Sequence, residues 1–262
     1  FLNKNIKAAN FNIDTVKQIT ERMPVDGSVV TVPAPFAYDA VLEAIDAGIQ
    51  LIVVVTERIP RADVARFIEF ANIRGARIIG PNCLGIISPG KGKMGGIGGT
   101  AIDTKKAYDS GYVGVMSRSG GMTTEICNTL TASGLGQSTA ISIGGDPIIG
   151  STYAELMPLF EADPETKALV VYSEPGGPMD SQLAEYTKNT NSPLPIVAFM
   201  AGRFMDEMPG MRFGHAGTIV EGKRDTAIEK IRLLEEAGIK VAETISEIPK
   251  LVKSAIKTNR KG

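Results

Sequence analysis

Tryptophan is absent from this 262-residue chain, histidine occurs once and cysteine twice. Two cysteines, Cys83 and Cys127, exclude a disulfide framework or a structural zinc site and suit a reducing compartment, with both thiols read as small buried hydrophobes. One histidine beside so few thiols leaves no set of metal ligands, so no metal is expected. No apolar run approaches the roughly 20 residues that span a bilayer. Charge is equally short of bias. The 28 Lys and Arg nearly balance 29 Asp and Glu, without a long block of either sign, which excludes the electrostatic footprint of a nucleic-acid or membrane-surface binder. Any anion must therefore be held locally. The opening "FLNKNIKAANFNIDTVKQ" is polar, resembles no leader segment and lacks an initiator Met, so a start upstream of Phe1 is expected. The expected compartment is the cytoplasm, or the mitochondrial matrix in a eukaryote.

What is present reads as α/β. Hydrophobic residues at 43% and charged residues at 22% are ordinary globular values, and the length suits two domains. Short runs rich in Val and Ile alternate with stretches of helical period, the pattern of a mostly parallel sheet. "SVVTVP" (28–33) and "LIVVVT" (51–56) read as strands separated by the helix "AYDAVLEAIDAG" (37–48). A second helix, "RADVARFIEFANIRG" (61–75), leads into "ARIIGPN". Apolar periodicity then fades through the glycine-dense stretch 88–111, where a domain boundary is expected, dividing the chain into 1–95 and 96–262. A second series follows, with strands at 112–117, 138–144, 168–174 and 194–200, helices near 121–133, 151–161, 179–189 and 224–238, and a last strand and helix. Five βα units in this span predict a flavodoxin-like doubly wound sheet, whose ligands bind beyond the carboxyl ends of the strands.

Every chemically suggestive motif lies at such a strand end. In "VMSRSGGMTTEI" a strand ends at Ser117 and a helix opens near Gly121. Unpaired N–H groups and the positive helix end make this an anion site, with Ser117 and Ser119 as further donors, or else a tight turn and no more. "SIGGDPIIGST" carries Asp146 before a proline and Ser151 as a candidate helix cap. "YSEPGGPMD" sets Glu174 at a strand terminus, where a carboxylate is often only a cap or a surface charge. His215 stands in "RFGHAGT", among glycines that weaken any regular element, on a loop expected to move. A lone histidine is commonly a satisfied structural side chain. A neutral imidazole is also a good nucleophile, and a carboxylate on one ring nitrogen fixes the tautomer and stabilises charge formed at the other. Glu174 is the candidate for that part. No G-x-S-x-G elbow or P-loop is evident, and one histidine near helix N-terminal anion sites points to phosphoryl transfer through phosphohistidine.

Read in order, "VPAPF", "EAIDAGI", "TERIP", "IIGPNCLGIISPGK", "SRSGGMTTE", "IGGDPIIGS", "EPGG" and "GHAGTIV" resemble the α subunit of succinyl-CoA synthetase and, more broadly, the NDP-forming acid–CoA ligases, including ATP-citrate lyase and citryl-CoA synthetase. The resemblance runs from about Phe11 to Val252. It implies a Rossmann-like CoA-binding domain followed by a flavodoxin-like ligase domain. It also implies His215 as the phosphorylated residue, Glu174 as the carboxylate orienting it, and Ser117, Ser119, Gly120 and Gly121 as the phosphate-holding helix start. Pro33, Pro35, Phe36, Val55, Thr56, Glu57 and Asn82 would line the coenzyme A site. An ATP-grasp β subunit would bind ATP or GTP with Mg2+ and complete an αβ or (αβ)2 hetero-oligomer, which calls for an apolar docking face on the second domain. A small carboxylic acid would be the substrate.

Three departures qualify the resemblance. Family members usually begin with a strand and a glycine-rich turn that cradle the CoA phosphates, and here that βαβ unit is not seen, so the CoA-binding domain reads as incomplete. The succinate enzymes usually read "SRSGTLTYE". Here Gly121 follows Gly120 and Thr124 replaces the tyrosine, which leaves room for a larger acid such as citrate. "SEPGG" replaces "GEIGG", keeping Glu174 and stiffening its neighbour Pro175. The leading expectation is a succinyl-CoA synthetase-like α subunit. A citrate-using subunit and a non-catalytic CoA-binding regulatory protein are the alternatives, and a dinucleotide oxidoreductase is disfavoured because no G-x-G-x-x-G opens a helix after a strand.

Overall fold

The computed structural model describes residues 14–211, 213–220 and 222–259. The expectations placed on Phe11 and the residues before Asp14 lie outside them. Helix α1 (Val16–Thr20) is followed by β1 (Gly27–Val30), α2 (Ala34–Asp46), β2 (Leu51–Val54), α3 (Arg61–Arg74) and β3 (Arg77–Ile79). The three strands pair in parallel in the order β1-β2-β3. The first strand stops short of the expected Pro33 because that proline is already the N-cap of α2, with Pro35 in the first turn, where a fixed φ suits a helix. Helix α3 ends as its sequence dictates, on Gly75 in the left-handed region.

The second sheet has seven strands. Its elements are β4 (Gly85–Ser88), β5 (Gly92–Met94), α4 (Ala101–Ala107), β6 (Ser110–Ser117), α5 (Gly120–Ala132), β7 (Gln137–Ser142), α6 (Tyr153–Glu161), β8 (Ala168–Ser173), α7 (Met179–Thr190), β9 (Ile196–Met200), α8 (Ala227–Glu236), β10 (Lys240–Ala242) and α9 (Ile248–Asn259). The strand order is β10-β9-β8-β6-β7-β4-β5. From β10 to β7 the strands are parallel, and in chain order they lie 2-1-3-4-5, the flavodoxin-like arrangement.

Sequence patterning missed two parts of this sheet. The hairpin β4–β5 pairs antiparallel on the outer edge of β7, and α4 fills part of the glycine-dense stretch. Residues 85–94, expected within the 1–95 span, thus hydrogen-bond in the second sheet, and the chain passes between sheets through the turn at 80–84. Strands of three or four residues are too short to display a period. Ser151 is not the cap of α6 either. Thr152 and Glu155 form a capping box, and the Ser151 hydroxyl donates instead to the Ile78 carbonyl at 2.8 Å.

Both faces of the second sheet are covered. Helices α4, α5 and α9 bring Ala107, Ile126, Leu130 and Val252 to one face, while α6, α7 and α8 bring Phe160, Leu183 and Leu234 to the other. The latter cluster also takes in Val53 and Ile79 of the first sheet, so one face of that sheet packs on the second body and α2 and α3 cover its other face with Val41 and Phe67. Among the described residues no helix is long and apolar enough to cross a membrane.

Cys83 and Cys127 are both buried with free thiols. Burial pushes the Cys83 thiol up to about 12 and raises that of Cys127 well above its ordinary value, so neither supplies thiolate near neutral pH. A native-state thiol titration at pH 8 is therefore expected to register neither cysteine within minutes, and the same titration in denaturant both.

Candidate active site

The second sheet reverses its direction of winding between β6 and β8, and the helices that follow these strands leave to opposite faces. In doubly wound sheets such a reversal is where a crevice opens between the strand ends. Glu174, 9% exposed, stands directly after β8 at its edge. The loop carrying His215 crosses the same place, and Nδ1 of the imidazole lies 2.8 Å from Oε2 of Glu174. Among the described residues 213–220 only Ile219 is in a bridge, and the buried Thr218 hydroxyl shapes the loop by sharing its one proton between the carbonyls of Phe213 and His215. The Gly217 N–H donates to the Gly145 carbonyl at 3.2 Å, fastening the loop to the end of β7. Gly145 is also the floor under the imidazole, since a Cβ there would stand 2.4 Å from the ring. Burial, and then the Glu174 carboxylate beside it, raise the Tyr172 hydroxyl above the usual phenol range and keep it protonated.

Across the crevice, β6 ends at Ser117 and α5 opens on Ser119, whose side chain caps the helix by accepting from the Met122 N–H. The Ser117 hydroxyl is fully buried and spent locally, donating to the Ser119 carbonyl and accepting from the Ser119 N–H. The two glycines differ. A side chain at Gly120 would collide with Leu84 at 2.3 Å, whereas a Cβ on Gly121 would meet nothing within 4 Å. Thr124, one turn further along, pairs its hydroxyl with that of Tyr108 at 2.9 Å.

The residues at the first sheet's strand ends also converge. Pro33, Pro35 and Phe36 are exposed at the start of α2, and Phe36 keeps 62% of its surface. Val55 hydrogen-bonds to the Val30 carbonyl, and the Thr56 hydroxyl donates to the Val32 carbonyl at 2.7 Å, which ties the ends of β1 and β2 together with Glu57 exposed beyond them. Asn82 then joins this rim to the histidine crevice. Its N–H donates to the Thr56 carbonyl, its own carbonyl accepts from the Gly145 N–H, and its side-chain amide donates to Asp146 at 2.9 Å. The strand ends of both sheets therefore share one connected backbone.

Arg118 and Gly145 are central here and were not singled out by sequence. The Arg118 guanidinium, 2% exposed, donates through Nη2 to the carbonyls of Gly145 and Asp146 at 3.1 and 3.0 Å and lies against Gly217. Its Nε has no hydrogen-bond partner. An arginine between two serines at a strand end was the available signal, but no pattern reveals that it folds inward. The imidazole is held by contact with Gly145 as well as by Glu174. Gly145→Ala is therefore expected to push the ring outward and raise the rate at which diethyl pyrocarbonate modifies this single histidine several-fold; an unchanged rate would contradict the placement of the ring.

Comparison with known proteins fits this geometry. A CoA binding domain matches residues 5–58, and a CoA-ligase domain matches residues 116–240. The chain is 46% identical to the ADP-forming succinate–CoA ligase subunit alpha 2 of Archaeoglobus fulgidus, over 91% of this chain and 80% of that relative. It is 40% identical to the corresponding α subunit of Aquifex aeolicus, over 91% of this chain and 78% of the relative. Among solved structures, ATP citrate lyase from Methanothrix soehngenii in complex with citrate and coenzyme A superposes with a TM-score of 0.89 at 25% identity, covering 94% of this chain and 41% of that one. The lyase chain is thus far longer, and this protein corresponds to about two fifths of it. With 46% identity sustained over four fifths of a relative's length, the chain belongs to the family of succinate–CoA ligase α subunits.

Proposed function

We propose that His215 carries a phosphoryl group in an acid–CoA ligation, NTP + carboxylic acid + CoA giving acyl-CoA, NDP and phosphate. The observation that carries this reading is the 2.8 Å contact between Nδ1 of His215 and Glu174. With Nδ1–H donating to a carboxylate, Nε2 keeps its lone pair and is the nucleophile. Nε2 attacks the γ-phosphorus, the bond to the NDP oxygen breaks, and Glu174 stabilises the positive charge left on the ring. A carboxylate oxygen of the acid then attacks the same phosphorus and frees Nε2. The CoA thiolate adds to the acyl carbon of the acyl phosphate, and phosphate leaves. Protein groups act mainly by positioning and electrostatics in such transfers. The start of α5 is suited to the phosphate, with the Gly120–Gly121 backbone and the cap of Ser119 at a positive helix end. Ser117 contributes by shaping this turn, since its hydroxyl is already spent.

Coenzyme A fits the rim at Pro33, Pro35, Phe36, Val55, Thr56, Glu57 and Asn82, where an exposed aromatic ring and open strand ends offer both apolar and polar contact. The bonds from Asn82 to Thr56 and Gly145 give that rim a fixed relation to the histidine crevice, as delivery of a thiol to an acyl phosphate requires. Among the described residues no group of three or more His, Cys, Asp or Glu is arranged to hold a metal ion. The nucleotide and its Mg2+ are assigned to an ATP-grasp β subunit, in keeping with the naming of the relatives as α subunits. Phe204, Met208 and Met211 expose 56%, 44% and 55% of their surfaces on the segment leading into the His215 loop, and Phe204 meets Phe213 edge-on at 5.1 Å. This apolar patch is the proposed docking face. The acid is assigned as succinate, in keeping with the relatives' names. The open space over Gly121 favours citrate as the second reading. The bacterial and archaeal relatives are consistent with a cytoplasmic enzyme.

Incubating the assembled complex with γ-labelled ATP is expected to give base-stable, acid-labile label on this chain. Label that persists in a His215→Ala variant would overturn the reading, and steady-state comparison of succinate with citrate decides the acid. A Met211→Glu variant is expected to weaken assembly with the β subunit at least tenfold, on the order of 1.4 kcal/mol, in sedimentation or titration calorimetry.

A further inference from the structure

Lys230 is 1% exposed and occupies the apolar stripe of α8, between Ala227 and Leu234. An ammonium so placed is costly unless its charge is matched and all three donors are used. Both conditions are met. Nζ donates to Oδ2 of Asp180 at 2.7 Å, to the Gly176 carbonyl at 2.7 Å and to the Glu174 carbonyl at 3.0 Å. Asp180, itself 2% exposed in the first turn of α7, accepts from the Ser173 hydroxyl on its other oxygen. Every acceptor of the ammonium thus lies in or at the end of the turn joining β8 to α7, the turn that carries Glu174.

The other side of this turn bears on the histidine loop. Gly176 has φ +89, and a side chain on it would run into the Gly217 carbonyl at 2.5 Å and the Ile219 nitrogen at 2.8 Å. The turn is therefore gripped by a buried cation from beneath while the loop of His215 rests on it from above. Without the ammonium, two buried carbonyls lose their partner, and the turn keeps on that side the bond from the Gly176 N–H to the Asp225 carbonyl, which holds neither of those two oxygens. We infer that Lys230 is a positioning residue for phosphoryl transfer: by fixing the main chain at Glu174 and Gly176, it holds the Glu174 carboxylate on Nδ1 of His215 and seats the loop. The inference rests on His215 as the phosphoryl carrier.

Two variants test it in the full chain assembled with its β subunit. Lys230→Met/Asp180→Leu removes both charges together and leaves no unpaired ion in the core. Lys230→Gln keeps an amide that can still donate to a carbonyl. Because the chain has one histidine, nitrogen-15 labelling of histidine gives one set of ring signals, which reports the tautomer directly. The native chain is expected to show only the Nδ1–H tautomer. The double variant should show both tautomers and lose kcat about 10- to 100-fold, with KM for nucleotide and CoA changed by no more than about twofold, and Lys230→Gln should fall between. Variants that unfold cooperatively, keep a single tautomer and retain the native kcat would overturn the inference. If the native complex forms no phosphohistidine, the reading of His215 falls, while the tautomer comparison still judges whether Lys230 positions Glu174.

Discussion

The reversal of winding between β6 and β8 is the constraint on which the rest of this molecule depends. Two adjacent parallel strands end side by side, and their following helices must depart to opposite faces of the sheet to cover both. The ends of these two strands carry Ser119 on one side and Glu174, with the loop of His215, on the other. Each is then fixed by local chemistry: the cap of α5 for Ser119, the buried cation beneath the turn for Glu174, and the hydroxyl of Thr218 for the loop. An irregular loop across a strand-end crevice needs such fastenings, because it has no ladder of its own to satisfy its backbone.

The two sheets are joined at the turn that carries Asn82. Asn82 takes the Thr56 carbonyl on one side and offers its own carbonyl and amide to Gly145 and Asp146 on the other. In the proposed reaction, a thiol site and a phosphoryl site held on separately moving bodies would lose the effective concentration that makes acyl transfer efficient. A shared turn keeps them in one frame. Arg118 adds to the same frame from inside, binding the 145–146 turn against the loop at Gly217.

Much of this was legible in the residues. The order of βα units, the doubly wound second sheet and the convergence of motifs on strand ends follow from apolar runs, glycines and helix caps. The pairing of His215 with Glu174 was an expectation from their chemistry, and the 2.8 Å contact is in line with it. The hairpin at 85–94 was hidden, because strands this short carry no period and their partner, β7, is remote in sequence. Lys230 was hidden as well, although a lysine on the apolar face of α8 is an anomaly that periodicity records. The cap of α6 went to Thr152 instead of Ser151, since only Thr152 has Glu155 at the spacing of a reciprocal capping box.

By itself, the sequence determined the chemical parts: one imidazole, a carboxylate after a strand, glycines where a backbone must come close, and an uncharged balance that leaves any anion to be held locally. Those properties are local, and residue type and spacing carry them. Which of the two glycines in the α5 turn is packed and which is open, where Arg118 points, and what lies under Glu174 were decided by tertiary structure alone. They depend on contacts between segments far apart in the chain, such as Leu84 on Gly120, Gly145 on His215 and Lys230 on the β8 turn. No local pattern encodes such contacts, because they exist only once the sheet has brought its strand ends together.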